Sequence, residues 1–318
     1  MSVTIRSVEN PAELEKVFEL LETNHPDISK ERFAARMQHE SRYEFWQTRV
    51  AEENGQFVAV LQVFDRKMWL KGKPVPFAGL GHFAVHPEHK SHFNSAELIK
   101  DTLNLLSEFD YPLSVVLSRD NSFYERFGFV PMPLIEFSFE KFEVSDVSGV
   151  RPFDRAKDFE RVMEMHSEFN KDRNGPLCRV PADWEAQLNY RNDSSQVFYV
   201  IERDGAVNGY LRGAIKNRVL EILEFCGVKS YAALFRRIMY IVFNEQDFYT
   251  AKISLRREEP FFNASYVPAR QKQDTRLMWS VLNEAKLADT LGIETSAVQS
   301  FIKQLRDFQI TFWFADAF

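Results

Sequence analysis

Val50-Ala51-Glu52-Glu53-Asn54-Gly55-Gln56-Phe57 returns further along the chain as Val200-Ile201-Glu202-Arg203-Asp204-Gly205-Ala206-Val207. Asn-Gly and Asp-Gly between apolar runs are strong hairpin signals, because a type I′ turn needs positive φ at both central residues. A second pair of matching segments lies upstream of each hairpin at nearly the same offset. Ile5-Arg6 with Glu13-Leu14-Glu15-Lys16-Val17-Phe18-Glu19-Leu20 is echoed by Val150-Arg151 with Asp158-Phe159-Glu160-Arg161-Val162-Met163-Glu164-Met165. Each reads as a short strand, a polar turn and a helix with apolar residues three and four apart. Two matches sharing one offset mark an internal duplication.

Outward from the repeat, each copy continues as an antiparallel meander. The first runs through strands over 49–53, 57–70 and 75–85, with Lys71-Gly72-Lys73 as a turn. A helix over 95–109, a strand over 113–117, a short helix over 122–127 and a strand over 135–142 follow. The second copy repeats the pattern with strands over 196–202, 207–215 and 219–225 and a helix over 230–243. A small-residue stretch from Ser145 to Gly149 separates them. The expected fold is α+β, with two tandem domains, each a mostly antiparallel mixed sheet flanked by helices. The expected division is 1–146, 147–290 and a C-terminal helix-and-strand extension over 291–318. Alternation of Ile310, Phe312 and Phe314 supplies the strand in that extension.

Composition bounds the function. At 318 residues, two domains of ordinary size each have room for a core. A net charge of −6 and a pI near 5.8 argue against a nucleic-acid partner, which calls for a basic surface. The N-terminus lacks the basic and apolar regions of a signal peptide, and no apolar run suits a membrane span, so a cytoplasmic protein with no membrane partner is expected. Cys178 and Cys226 are too few for a disulfide framework or a four-ligand zinc site. The 30 Phe read as core filling. An acidic chain mildly favours cationic acceptors through long-range attraction.

The strand over 75–85 runs into His86-Pro87-Glu88-His89-Lys90-Ser91-His92-Phe93-Asn94-Ser95 and then a helix. Such a junction offers free backbone N–H groups and a positive dipole end to a phosphate. Here the chain resembles the GNAT family of acetyl-CoA-dependent N-acetyltransferases, which carry V-x-P followed by Q/R-x-x-G-x-G/A at this point. Val85-His86-Pro87 matches; Lys90 stands at the Q/R position, Phe93 at the first Gly and Ser95 at Gly/Ala. The second likeness is Asn121-Ser122-Phe123-Tyr124-Glu125-Arg126-Phe127-Gly128-Phe129. In that family the Asn faces the cofactor and the Tyr protonates the departing CoA thiolate. The tandem arrangement is similar to Eis-type acetyltransferases, with Asn174-Gly175-Pro176, Arg179, Trp184 and Thr275–Leu282 resembling segments of theirs. Beyond Leu291 only 27 residues follow, too few for their sterol-carrier-like third domain.

The resemblance implies acetyl-CoA as cosubstrate, held by Phe83, Ala84 and Val85, by Lys90, Ser91, His92, Phe93, Asn94 and Ser95, and by Asn121. It implies Tyr124 as general acid, its phenol protonated at neutral pH. It also makes the Phe318 carboxylate a candidate proton acceptor from a small-molecule or peptide amine. His82, near the cofactor end of its strand, is a candidate general base. His82, His86, His89 and His92 are spaced like metal ligands, but Pro87 interrupts them and the first lies on a strand, so no metal is expected. Cys226-Gly227-Val228-Lys229-Ser230 sits where the second copy should carry its own loop and reproduces no motif; Cys226 reads as a buried small hydrophobe. The family leaves room for a homo-oligomer. The alternative is a degenerate GNAT-fold protein that binds CoA or a partner without catalysis, motivated by Phe93 and Ser95.

Overall fold

The computed structural model describes residues 3–26, 28–40, 42–90, 95–144, 146–190, 195–228, 231–262 and 267–318. The first copy contains β1 (Thr4–Ser7), α1 (Pro11–Asn24), α2 (Lys30–His39), β2 (Thr48–Glu53), β3 (Gln56–Leu70), β4 (Lys73–Val85), α3 (Ser95–Glu108), β5 (Leu113–Leu117), α4 (Asn121–Glu125), β6 (Val130–Pro131) and β7 (Leu134–Phe139). The second contains β8 (Val150–Pro152), α5 (Arg155–Asn170), α6 (Pro181–Tyr190), β9 (Gln196–Arg203), β10 (Ala206–Lys216), β11 (Val219–Gly227), α7 (Tyr231–Glu245), β12 (Thr250–Leu255), β13 (Ala269–Asp274) and β14 (Leu277–Val281). Helices α8 (Glu284–Leu291) and α9 (Val298–Arg306) precede the C-terminal tail.

The turn chemistry acts as the sequence dictates. Asn54 and Gly55 have φ of 52° and 79°, and Asp204 and Gly205 have 55° and 77°. The duplication extends to the ion pairs. Arg6 binds Glu13 at 2.7 Å and Glu52 at 2.8 Å, while Arg151 binds Asp158 at 2.7 Å and Glu202 at 2.9 Å. Helix α2 is absent from the sequence expectation. Ser29 caps it by accepting from the Arg32 amide, yet it buries only Phe33 and Met37, too thin an apolar face to stand out.

Two seven-stranded mixed sheets form, in the orders β1-β2-β3-β4-β5-β14-β6 and β13-β7-β12-β11-β10-β9-β8. The sheets do not divide the chain at 146. β7, expected to close the first domain, pairs with β12 and β13 in the second sheet, and β14 crosses back to lie between β5 and β6. Apolar patterning marks a strand without naming its neighbour, so this exchange is a tertiary choice. It buries Leu277, Met278 and Trp279 in the first sheet's cores. A fragment ending at residue 146 would leave β5 without its antiparallel partner. It is expected to show no cooperative melting in a calorimetric scan; a sharp transition would show that the first sheet is self-sufficient.

Helices α1 and α2 pack around Val50, Val60 and Ala84 on one face of the first sheet, and α3 packs on Ala51, Ala59 and Leu61 on the other. Helices α8 and α9 cover Phe77, Leu113 and Val115. The second core is rich in phenylalanine, including Phe139, Phe225, Phe235 and Phe261. The tail corrects an expectation: it is buried but forms no strand, and residues 314–316 turn as a 3-10 helix. Ile310 and Phe312 enter the core shared with α8 and α9, while Trp313 enters the second core. The alternation therefore reflects two hydrophobic faces rather than a ladder. Among the described residues no helix is long and apolar enough to cross a membrane.

Candidate active site

β4 and β5 are parallel neighbours only at Ala78–Ser114, Gly79–Val115 and Leu80–Val116. Beyond Leu80 they part. On its other edge β4 carries a bulge: Val60 pairs with Ala84 and Gln62 with Gly81, leaving His82 and Phe83 opposite Leu61 alone. His82 takes the left-handed conformation, with φ of 48°. A bulge beside a parting of strands takes backbone groups out of the ladder and re-aims the side chains there. The resulting cleft holds ≈ 590 Å³ and is lined by Gly81, His82, Phe83, Tyr124 and Phe318, among others. Three predicted site residues from distant parts of the chain, His82, Tyr124 and Phe318, thus meet.

Tyr124 is 6% exposed. Burial, reinforced by the Asp120 carboxylate, pushes its phenol up to about 12. Phe83 stacks on Phe123 with ring centroids 6.0 Å apart. Phe83, Ala84, Val85, Lys90 and Ser95 line an adjoining hollow of ≈ 340 Å³ at the start of α3. Ser91, His92, Phe93 and Asn94 lie outside the described residues, as do Ser145, Lys229 and Ser230. Asn121 is not among the cleft-lining residues. Its Nδ2 donates to the Thr275 carbonyl at 3.2 Å, tying α4 to the approach of β14, and its buried Oδ1 has no partner.

The His82 ring is committed at both nitrogens. Arg36, which can only donate, reaches Nε2 at 3.0 Å, so the neutral ring carries its proton on Nδ1 and donates to Gln62 Oε1. Burial, then the Arg36 charge and His25, hold its pKa well below the usual histidine value. The ring is neutral but has no open lone pair, an arrangement that does not favour the general-base role. Of the other histidines in that run, His86 accepts from the Glu88 amide and His89 Nδ1 lies 3.1 Å from Glu53, and neither lines the cleft.

Phe318 fits because two glycines face it. A Cβ on Gly79 would lie 2.8 Å from the Phe318 ring, and one on Gly81 would lie 2.7 Å from its carboxyl carbon. The ring also stacks on Phe64. Upstream, Asp316 meets Arg179 at 2.6 Å, and Arg179 also holds Glu224; all three side chains are fully buried. Burial alone would lower the Arg179 pKa, but Asp316 and Glu224 raise it and keep the guanidinium charged. His166, Glu224 and Asp316 lie within 4.8 Å of one another, but Arg179 already balances both carboxylates. Sequence reasoning missed Arg36 and His25, which carried no motif. It also missed Gly79 and Gly81, although alternate glycines within a strand signal a close approach.

A larger chamber of ≈ 740 Å³ opens between the two sheets and shares His25, Phe33 and His82 with the cleft. Its charged lining is Arg32, Arg36 and Lys216 against Glu221, so the acidity of the whole chain does not extend to its walls. The equivalent parting in the second sheet, after Glu221–Lys252, retains only ≈ 30 Å³ and is closed by Arg276 and Phe314. Cys226 is fully buried in the second core, and burial raises its thiol pKa.

A family model described as an acetyltransferase (GNAT) domain matches residues 4–132. Among solved structures, a GCN5-related N-acetyltransferase from Anabaena variabilis is 17% identical with a TM-score of 0.74, over 91% of this chain and 75% of that one. A probable N-acyltransferase from Enterococcus faecalis is 16% identical with a TM-score of 0.73, over 89% and 73%. Eis1 from Mycobacterium abscessus is 14% identical with a TM-score of 0.65, over 90% and 75%. No curated protein matches the chain by sequence. With its bulged β4, the cleft beyond it and a second sheet built the same way, the chain has the tandem GNAT fold, and its residues 4–132 match the model of an acetyltransferase (GNAT) domain.

Proposed function

We propose that the protein is an N-acetyltransferase that uses acetyl-CoA to acylate a primary amine in the cleft of the first sheet. The observation that carries this reading is the meeting of the β4 bulge, Tyr124 and the end of the chain around one ≈ 590 Å³ cleft. The cleft fits an extended thioester. Beyond Leu80 the backbone of β4 is not paired with β5, and the hollow at the start of α3 continues from it toward Lys90. Acetyl-CoA, when bound, supplies an activated carbonyl carbon and a thiolate leaving group.

The chain's own residues do the rest. The backbone of Phe83, Ala84 and Val85 orients the donor and polarises its carbonyl. The Phe318 carboxylate takes the proton from the nitrogen as the C–N bond forms. Tyr124 gives its phenol proton to sulfur as the C–S bond breaks, ending as a phenolate that solvent reprotonates. The desolvation that raises Tyr124 also raises the proton affinity of a thiolate formed beside it, which keeps that transfer near balance. The amine enters from the chamber between the sheets.

Tyr124→Phe keeps the ring and removes the acid. It is expected to lower kcat about a hundredfold, with little change in donor affinity or melting temperature. The wild-type profile should show no alkaline loss from this phenol below about pH 10, since its pKa is raised in the fold. Unchanged turnover in the variant would remove Tyr124 as the acid, whereas a wild type with no turnover on any amine would favour the non-catalytic alternative.

A further inference from the structure

Helix α2 sends one long cation to a point where three parts of the molecule meet. Arg36 Nη1 lies 3.0 Å from His82 Nε2 on the β4 bulge, and Nη2 donates to the Ala317 carbonyl at 2.9 Å. Its guanidinium is flanked by the ring of Phe64 on β3, at 5.0 Å, and the ring of Tyr190 on α6, at 5.4 Å. We propose that Arg36 is a positioning residue that fixes the last peptide of the chain against the β4 bulge and so aims the terminal carboxyl group into the cleft. The proposal rests on the reading of the site given above.

The geometry is specific to a guanidinium. Its planar fork presents donors at a fixed separation, so bonds to His82 and Ala317 together set the distance between bulge and tail. The Ala317 carbonyl belongs to the peptide plane from which the Phe318 Cα and carboxyl group emerge. The Arg179–Asp316 pair and the bond from the Ala317 amide to the Phe314 carbonyl lie upstream and leave open the rotation that sets the last peptide plane. The Phe318 ring, lodged over Gly79, fixes the side chain but not that plane. The commitment of His82 to Arg36 and Gln62 is then part of the same clamp: the ring transmits the position of the bulge rather than taking a proton.

The test crosses Arg36→Ala and Arg36→Lys with deletion of Phe318, following kcat, the KM for acetyl-CoA, and release of Phe318 by carboxypeptidase. Arg36→Ala should lower kcat about tenfold with the donor KM within about twofold, and Arg36→Lys should restore only a small part. In the deletion background Arg36→Ala should add no further loss, because its effect passes through the tail. Carboxypeptidase should release Phe318 several times faster from Arg36→Ala than from the wild type. An unchanged kcat with a protected tail, or losses that multiply in the double variant, would overturn the proposal. Should Arg36→Ala fail to fold, Arg36→Lys carries both readouts. If the wild type transfers no acyl group to any amine, the reading of the site fails, and the carboxypeptidase arm still decides the clamp.

Discussion

Arg179→Ala is expected to lower the unfolding free energy by about 3–5 kcal/mol, read as a lower denaturant midpoint at unchanged slope. The guanidinium is fully buried between Glu224 and Asp316, themselves buried. Removing it leaves two carboxylates together, with Gln187, Tyr210, Arg212 and His166 among the neighbours that remain. Arg179→Lys should recover little, since an ammonium cannot span both carboxylates with paired donors. The pair also carries a pH signature. Burial alone would raise the Glu224 pKa, but Arg179 and Arg212 hold it below the ordinary carboxylate value. Its contribution is therefore present at neutral pH and is lost as pH falls through and below that range. A change of less than about 1 kcal/mol would mean that the network is not what joins tail and second sheet.

Deleting Phe318 is expected to lower turnover about a hundredfold while the fold survives. The tail keeps its main anchors, Trp313 in the second core and Asp316 on Arg179, so the loss falls on the site rather than on stability. Gly81→Ala should mimic the deletion by another route, because its Cβ would meet the terminal carboxyl carbon at 2.7 Å and push the tail aside. Both variants should still bind acetyl-CoA. Full activity in both would remove the chain terminus from the mechanism.

Much of the first sheet was legible because two physical periods and one turn rule write themselves into sequence. The positive-φ turns at Asn54-Gly55 and Asp204-Gly205 and the strands flanking them formed as read. The exchange of β7 and β14 was not legible, because a strand's pattern records which of its faces is buried and not which neighbour it joins. The tail shows the same limit from the other side. Its alternation was real, but the period of two came from Ile310 and Phe312 facing one core and Trp313 another. In the site, Tyr124 stood out through a motif at fixed spacing, whereas Arg36 acts from a polar helix, through contacts 46 and 281 residues away. Long-range contacts of a surface helix leave no local signature.

The two sheets repeat one design, down to a single extra residue in the strand beside each parting, yet among the described residues the first parting is open and the second is filled. In the second, Leu223 is that residue, and the space beyond it is closed by the protein's own Arg276 and Phe314. Of the two equivalent partings the chain thus keeps the first open and uses the second copy to hold the tail that completes it. A calorimetric titration with acetyl-CoA, with CoA as control, tests this most directly. The account predicts about one site per chain with micromolar affinity, and that affinity should weaken in a Phe83→Pro variant, which removes an amide donor at the bulge. No binding at millimolar donor, or two equal sites per chain, would contradict it.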